Sequence, residues 1–391
     1  MRDSRPPTDL RQSKARIAAT ASLKWLAGSG GFWSAGLVND RAMPGGELAR
    51  GFHADVVGPL LARAMPGLRY AAGRLGSGSD VLGFDDAMSR DHDWGCRLTL
   101  LVDEPDLAAV PQVSLLLDQE LPESYRGFPV RFPLTWDPGL SHKVEIATVS
   151  GFAAGRLGID PTAELSASDW LILTGQSVLE VTAGPVFADQ TAELAQVRAR
   201  LRWYPPDIER YVLAAGWQRL SQEMPMVGRT AEHGDDLGSR LLSMRLASDL
   251  MWLAFTLSRQ WPPYPKWRGT AFEALPAAAD LAGPLTAAAA APHWRDRESA
   301  LADACEILLD AQRARGFPAP ASAVIPFWDR PYRTVNEAVC ESLLSAITDP
   351  DVSRLPIVGS IEQWVSNVDV LTSPTRRAAL RTAYQAWAGP G

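Results

Sequence analysis

The stretch that decides how this chain is read is Gly76-Ser77-Gly78-Ser79-Asp80-Val81-Leu82-Gly83-Phe84-Asp85-Asp86-Ala87-Met88-Ser89-Arg90-Asp91-His92-Asp93-Trp94-Gly95. It follows an apolar run, Leu68 to Leu75, of strand-like length. It precedes another, Cys96 to Val102. Several phosphate and catalytic motifs fail on it. The third glycine of a G-x-G-x-x-G fingerprint would fall at Val81, and no Gly-Lys-Ser/Thr follows as a P-loop requires. The chain has no G-x-S-x-G elbow and no H-E-x-x-H zinc motif. What remains is a Gly-Ser turn after one strand and an Asp-x-Asp at the start of the next. Glycines let backbone N–H groups approach phosphate oxygens, and a serine hydroxyl adds a donor. If the segment from Asp91 to Trp94 runs straight into the strand, Asp91 and Asp93 share a face and His92 and Trp94 take the other. Two carboxylates on one face repel unless a cation lies between them, and Mg²⁺ suits carboxylate and phosphate oxygens.

A third acid, Glu145, sits in His142-Lys143-Val144-Glu145-Ile146-Ala147-Thr148-Val149. Alternation sends Val144 and Ile146 to the core and Glu145 outward, toward the same edge if the strands are neighbours. Three acids and a phosphate-cradling turn are the parts of a two-metal phosphoryl-transfer site. Each part also has a plainer reading. Asp-x-Asp suits a solvated loop, and Gly-Ser-Gly-Ser a flexible one. Ser79 suits phosphate binding or an N-cap. Asp85 and Asp86 read as turn residues. His92 reads as a core histidine or a catalyst, and Arg90 as an ion-pair partner or a phosphate contact. Lys266 and Trp267 follow a proline-rich hinge; the lysine could neutralise a triphosphate and the ring could stack on a base, or both could be packing. Glu232, Asp235 and Asp236 suit N-capping or a general base, and Glu180 is a weaker candidate base.

Outward from this segment, Glu47 to Met65 has helical spacing, Leu107 to Glu120 reads as a helix, and Lys143 to Val149 as a strand. Residues 1 to 45 read as an N-terminal extension ending in the turn-rich Met43-Pro44-Gly45-Gly46. Asp169 to Leu173 suggests a short helix, and Ser177 to Phe187 a strand pair turning at Gly184-Pro185. From Ala192 the period turns helical, in Ala192–Leu201, Pro206–Glu223, Asp236–Arg259, Trp294–Arg313, Asn336–Thr348 and Ser373–Trp387. The Ala-rich run Ala277 to Pro292 reads as a loop or weak helix. The expected fold class is α+β: a mixed-sheet domain over residues 46–190, then an all-α domain over 191–391.

A Gly-Ser turn, an Asp-x-Asp separated from Ser77 by thirteen residues, and a third acid on a later strand together resemble the nucleotidyltransferase superfamily of the DNA polymerase beta-like fold. The fuller strings, Gly-Ser-Gly-Ser-Asp-Val-Leu-Gly-Phe-Asp and Met-Ser-Arg-Asp-His-Asp-Trp-Gly, resemble one bacterial branch known as a domain of unknown function. Pro205 through Trp217, Asp235-Asp236-Leu237-Gly238-Ser239-Arg240 and Pro263-Tyr264-Pro265-Lys266-Trp267 add to the likeness, which covers about residues 45 to 275. The architecture is similar to that of kanamycin nucleotidyltransferase. The resemblance implies transfer of an NMP, AMP first among them, from an NTP to a hydroxyl of a small molecule or protein, with release of pyrophosphate. It implies Mg²⁺ or Mn²⁺ held by Asp91, Asp93 and Glu145 as the catalytic acids. Gly76, Ser77, Ser79, Arg90 and Lys266 would hold the nucleotide. The alternative is a repurposed member of the same fold that binds nucleotide, or a partner, without turnover.

Composition bounds these readings. The chain has 391 residues, 46 % hydrophobic and 21 % charged, so it is a globular chain of two or three domains' length. The net charge of −7 disfavours polymeric nucleic acid as a partner. Three cysteines without a C-x-x-C pair fit a reducing cytoplasm. No apolar run is long enough for a membrane span. The basic N-terminus, with Arg2, Arg5, Arg11, Lys14 and Arg16, is not followed by a signal-peptide apolar core. Fourteen Trp against seven Tyr call for a large core or an aromatic-lined pocket.

Overall fold

The computed structural model describes residues 43–86, 93–135 and 137–389. The first helical stretch is one column in three parts: α1 (Gly45–Phe52), a π-helical turn (His53–Val57) and α2 (Gly58–Ala64). The wide turn lies just before Pro59. That ring has no N–H to donate and would crowd the carbonyl four residues back, so the backbone opens by one residue there. Gly45 and Gly46, read above as a turn, are already the first residues of α1. Pro44 caps them, and Asp85 accepts from Gly45 N at 2.6 Å.

Five strands make the main sheet: β1 (Tyr70–Gly73), β2 (Arg97–Val102), β5 (Arg131–Leu134), β6 (Asp137–Thr148) and β7 (Val186–Asp189). Their spatial order is β5-β6-β2-β1-β7. The β2–β6 pair is parallel and the others are antiparallel, so the sheet is mixed as expected. Central β2 is covered on both faces, which is why Leu98, Leu100, Leu101 and Val102 run almost unbroken. The Gly-Ser segment leaves β1 through the short helix α3 (Ser79–Leu82). The parallel crossover from β2 to β6 uses α4 (Val110–Glu120) and the small β3 (Ser124–Tyr125) and β4 (Phe128–Pro129) hairpin.

After β6 come α5 (Val149–Leu157), α6 (Ala167–Leu171) and α7 (Gly175–Thr182). The expected strand pair at Ser177–Phe187 is therefore half wrong. Thr174 and Ser177 form a reciprocal capping box, and Val178 and Val181 bury at helical spacing, so the first half is α7. Only Val186–Asp189 is strand, and it pairs with β1. The rest is helical: α8 (Glu193–Arg200), α9 (Pro206–Glu232), α10 (Asp236–Leu257), α11 (Pro265–Phe272), α12 (Ala278–Ala290), α13 (Trp294–Ala314) and α14 (Glu337–Leu344). The short β8 (Val324–Pro326) and β9 (Arg333–Val335) hairpin sits between α13 and α14. The chain finishes with α15 (Pro350–Ser353), α16 (Ile361–Trp364), α17 (Val368–Leu371) and α18 (Pro374–Ala388). The Ala-rich run is a full helix, α12, because Leu281, Leu285 and Ala288 pack on one side. The fold class is α+β.

From Pro44 on, the chain is one compact unit. One apolar cluster joins Ala71, Leu75 and Leu101 of the sheet side to Phe152, Leu157 and Val178, and then to Tyr211, Trp252, Trp261 and Tyr384. A second cluster lies wholly among α9, α10, α12, α13 and α14 and their connections, around Trp217, Leu250, Leu281 and Leu308. Helix α9 is about 40 Å long at 1.5 Å per residue; its first two turns, through Ile208, Tyr211 and Val212, serve the first cluster and the helix from Leu213 on serves the second. Among the described residues no helix is long and apolar enough to cross a membrane. All three cysteines are free and buried.

Candidate functional site

The loop after β1 is wrapped around one buried side chain, Arg74, which is 2 % exposed. Its guanidinium forks onto Asp80, Nε to Oδ2 at 2.6 Å and Nη2 to Oδ1 at 2.8 Å. It also donates to the carbonyls of Leu75 (2.6 Å) and Ser77 (2.9 Å). The turn closes tightly because Gly76 and Gly78 take φ of +83° and +142°. A Cβ on Gly78 would lie 2.2 Å from Asp80 Oδ1 and 2.5 Å from Arg74 Nη2. The Gly76 N–H donates to Glu180 O of α7 at 2.8 Å, which anchors the turn from below.

Strands β2 and β6 bring Glu145 to this turn. In their parallel register Thr99 lies opposite Glu145 and Arg97 opposite Lys143, so alternation puts all four on one face. That face floors a cleft of about 780 Å³. Ser77, Glu145 and Arg156 line it, with Arg74, Arg97 and Lys143. Gly76 borders it, its Cβ position 3.4 Å from Arg156 Nη2 and 4.0 Å from Glu145 Oε2. Of the sequence-predicted residues, the fold therefore brings together Gly76, Ser77 and Glu145.

The other predicted residues fare differently. Arg90, Asp91 and His92 lie outside the described residues. Asp93 does not run straight into β2: its φ is +56°, a left-handed conformation that Asp tolerates better than most residues. Its Oδ1 accepts from Thr135 N at 2.6 Å and its carbonyl from Arg97 Nη1 at 3.1 Å. Asp93 thus does not continue the extended period on which the expected shared face rested. Ser79 opens α3, where its carbonyl accepts from Phe84 N; it does not line the cleft. Lys266 is exposed on α11, 4.8 Å from the Trp267 ring centre, and does not line the cleft either. Its neighbour Trp267 stacks on Phe84 at 5.3 Å, so the hinge touches the end of the Gly-Ser segment. Asp235 caps α10 through Gly238 N, Asp236 pairs with Arg240 and Arg297, and Glu232 accepts from the Tyr332 hydroxyl. All three have structural partners.

Apart from Glu145 and Glu180, the charges in and beside the cleft come from residues the sequence did not flag. Arg156, on α5, grips both oxygens of Glu145 at 2.7 Å. Its Nε lies 3.5 Å from Glu180, and its guanidinium lies 4.6 Å over the Phe152 ring. Lys143 is tied to Asp137 at 2.7 Å and to Ser141 at 3.0 Å. Burial, with Arg74 beside it, pulls the Arg97 guanidinium down to about 10; Asp80, Asp93 and Glu145 oppose that shift. Burial pushes the Glu180 carboxyl up from its usual range. Strand parity with Glu145 could have pointed to Arg97 and Lys143. Nothing local pointed to Arg156, which reaches Glu145 from the next element. Of the three acids expected to hold a cation, Asp91 lies outside the described residues. Glu145's oxygens are both taken by Arg156, and among the described residues no group of three His, Cys, Asp or Glu could hold a metal.

A family described as "Domain of unknown function (DUF4037)" matches residues 170–268, a quarter of the chain. That span contains Pro205–Trp217, Asp235–Arg240 and Pro263–Trp267, but neither the Gly-Ser turn nor Glu145. No curated protein matches the chain. Among solved structures, the chain is similar to a nucleotidyltransferase-like protein from Exiguobacterium sibiricum, at 14 % identity and a TM-score of 0.31, over 68 % of this chain and 78 % of that one.

Proposed function

We propose that this protein binds a nucleoside triphosphate in the cleft between the Gly76–Ser77 turn and β6, and transfers its NMP to a hydroxyl of a small molecule or protein, releasing pyrophosphate. The observation that carries the reading is the meeting of that turn with Glu145 in one cation-lined cleft. Turn N–H groups and the Ser77 hydroxyl suit phosphate oxygens. Arg74 and Asp80 hold the turn in place before any ligand arrives, which removes an ordering cost from binding. The described acids do not by themselves form a cation site, so the divalent metal belongs to the test and not to the geometry. The test incubates the protein with each NTP, with Mg²⁺ or Mn²⁺ and an extract fraction, and seeks by mass spectrometry an acceptor heavier by one NMP. Asp91→Asn, Asp93→Asn and Glu145→Gln are each expected to abolish that product with the fold intact. Full activity in Asp93→Asn would remove Asp93 from the catalytic set.

A second reading, nucleotide binding without turnover, is favoured by the Arg156–Glu145 pair and by the Asp93 carboxylate accepting from Thr135 N. It is distinguished by nucleotide binding with no pyrophosphate release.

A further inference from the structure

The cleft carries its own counter-charge, unequally committed. Arg74 is forked onto buried Asp80, and Lys143 is held by Asp137, Gly139 and Ser141 at the start of its own strand. Both line the cleft but are 2 % and 5 % exposed at the side chain, tied into the structure around them. Arg156 differs. Its partner Glu145 takes one nitrogen, Nη2, on both oxygens and is half-exposed, with 42 % of its side chain open to solvent. A second carboxylate, Glu180, stands 3.5 Å away to keep part of its charge balanced. The Phe152 ring supports the guanidinium, and Arg377 Nη2 holds the Arg156 carbonyl at 2.6 Å. So the group is pre-placed, beside the Gly76 turn, with a partner it can exchange. A planar guanidinium binds phosphate bidentately as readily as it binds a carboxylate.

We infer that Arg156 is the phosphate-binding residue of this cleft, and that a polyphosphate chain binds here without a divalent cation by displacing Glu145 from its guanidinium. The inference rests on the nucleotide-binding reading for the identity of its ligand, and on the cleft alone for its mechanism. Glu145 then acts as a competitor of the incoming anion. Removing its charge should strengthen binding, whereas removing a metal ligand would weaken it.

The test is calorimetric titration of the full chain with inorganic triphosphate and with ATP, in EDTA and again in Mg²⁺. Both ligands are expected to bind in EDTA. Arg156→Gln should weaken that binding by about tenfold or more, a lost charge-assisted pair, with Arg156→Lys in between. Glu145→Gln should tighten it several-fold, on the order of one removed like charge, a gain that misfolding cannot mimic. Binding that appears only with Mg²⁺, or a folded Arg156→Gln chain of unchanged affinity, overturns the inference. Should triphosphate bind through Arg156 while ATP does not, the inference stands and the nucleotide reading falls. If neither binds under any condition, both fall.

Discussion

Arg74 and Asp80 show how much one pair of side chains can decide. They are six residues apart, 2 % and 8 % exposed, and joined by two charge-assisted bonds. Between them they fix Leu75, Ser77 and Gly78, the residues that shape the candidate phosphate turn. Removing one partner of a buried pair strands the other charge. Asp80→Asn is therefore expected to cost about 3–5 kcal/mol of unfolding free energy, read by urea denaturation. The turn itself was legible from its glycines and serines. Its clamp was not, because an ion pair across a loop leaves no periodic trace. Asp93 makes the opposite point: the residue type was noticed, but its side chain goes to Thr135 because a left-handed φ turns it away from the assumed strand.

At the scale of elements, the column from α1 to α2 turns on His53. The π-helical turn sets its ring 5.9 Å from Tyr70 and 6.1 Å from Phe187, with Nε2 3.2 Å from the Tyr70 hydroxyl. Burial lowers its pKa from the ordinary value. The unfolded chain then binds the proton first as pH falls. The stability His53 contributes is present above its unfolded pKa of about 6.5 and is lost as pH falls through the lower folded value. Urea midpoints taken from about pH 7.5 to about pH 5 should fall in the native protein and fall less in His53→Gln. Equal slopes would show that His53 is not the group responsible. Element types were largely legible: β1, β2, β6 and most helices follow the expected runs. The segment at Ser177 was misread because a short apolar run fits either period. The Thr174–Ser177 capping box settled it.

At the scale of the whole molecule, the connection into the C-terminal helix reaches the cleft. Arg377 of α18 is 1 % exposed and donates to the carbonyls of Leu371 and Arg156, while Thr372 lines the cleft wall. The last helix thus holds the backbone of the proposed phosphate-binding residue, more than two hundred positions earlier. Arg377→Ala should lose roughly 3 kcal/mol, two hydrogen bonds from a charged group plus a cavity. It should also weaken triphosphate binding a few-fold, since Arg156 loses its support; denaturation and titration read the two effects separately. Stability lost with affinity unchanged would mean that α18 supports the fold but not the cleft.

The sequence by itself determined the α+β class and the order of most elements, and it singled out the Gly76–Ser77 turn and Glu145, which meet once β2 and β6 pair. These follow from local period and from side-chain alternation on neighbouring strands, which every residue of a run reinforces. Only the tertiary structure decided that Glu145 is held by Arg156, that Asp93 turns aside, and that Lys266 stands away from the cleft. Those outcomes depend on where separate elements pack and on single backbone angles. A charged side chain takes whichever partner the packing brings within reach, and no spacing along the chain records which one that is.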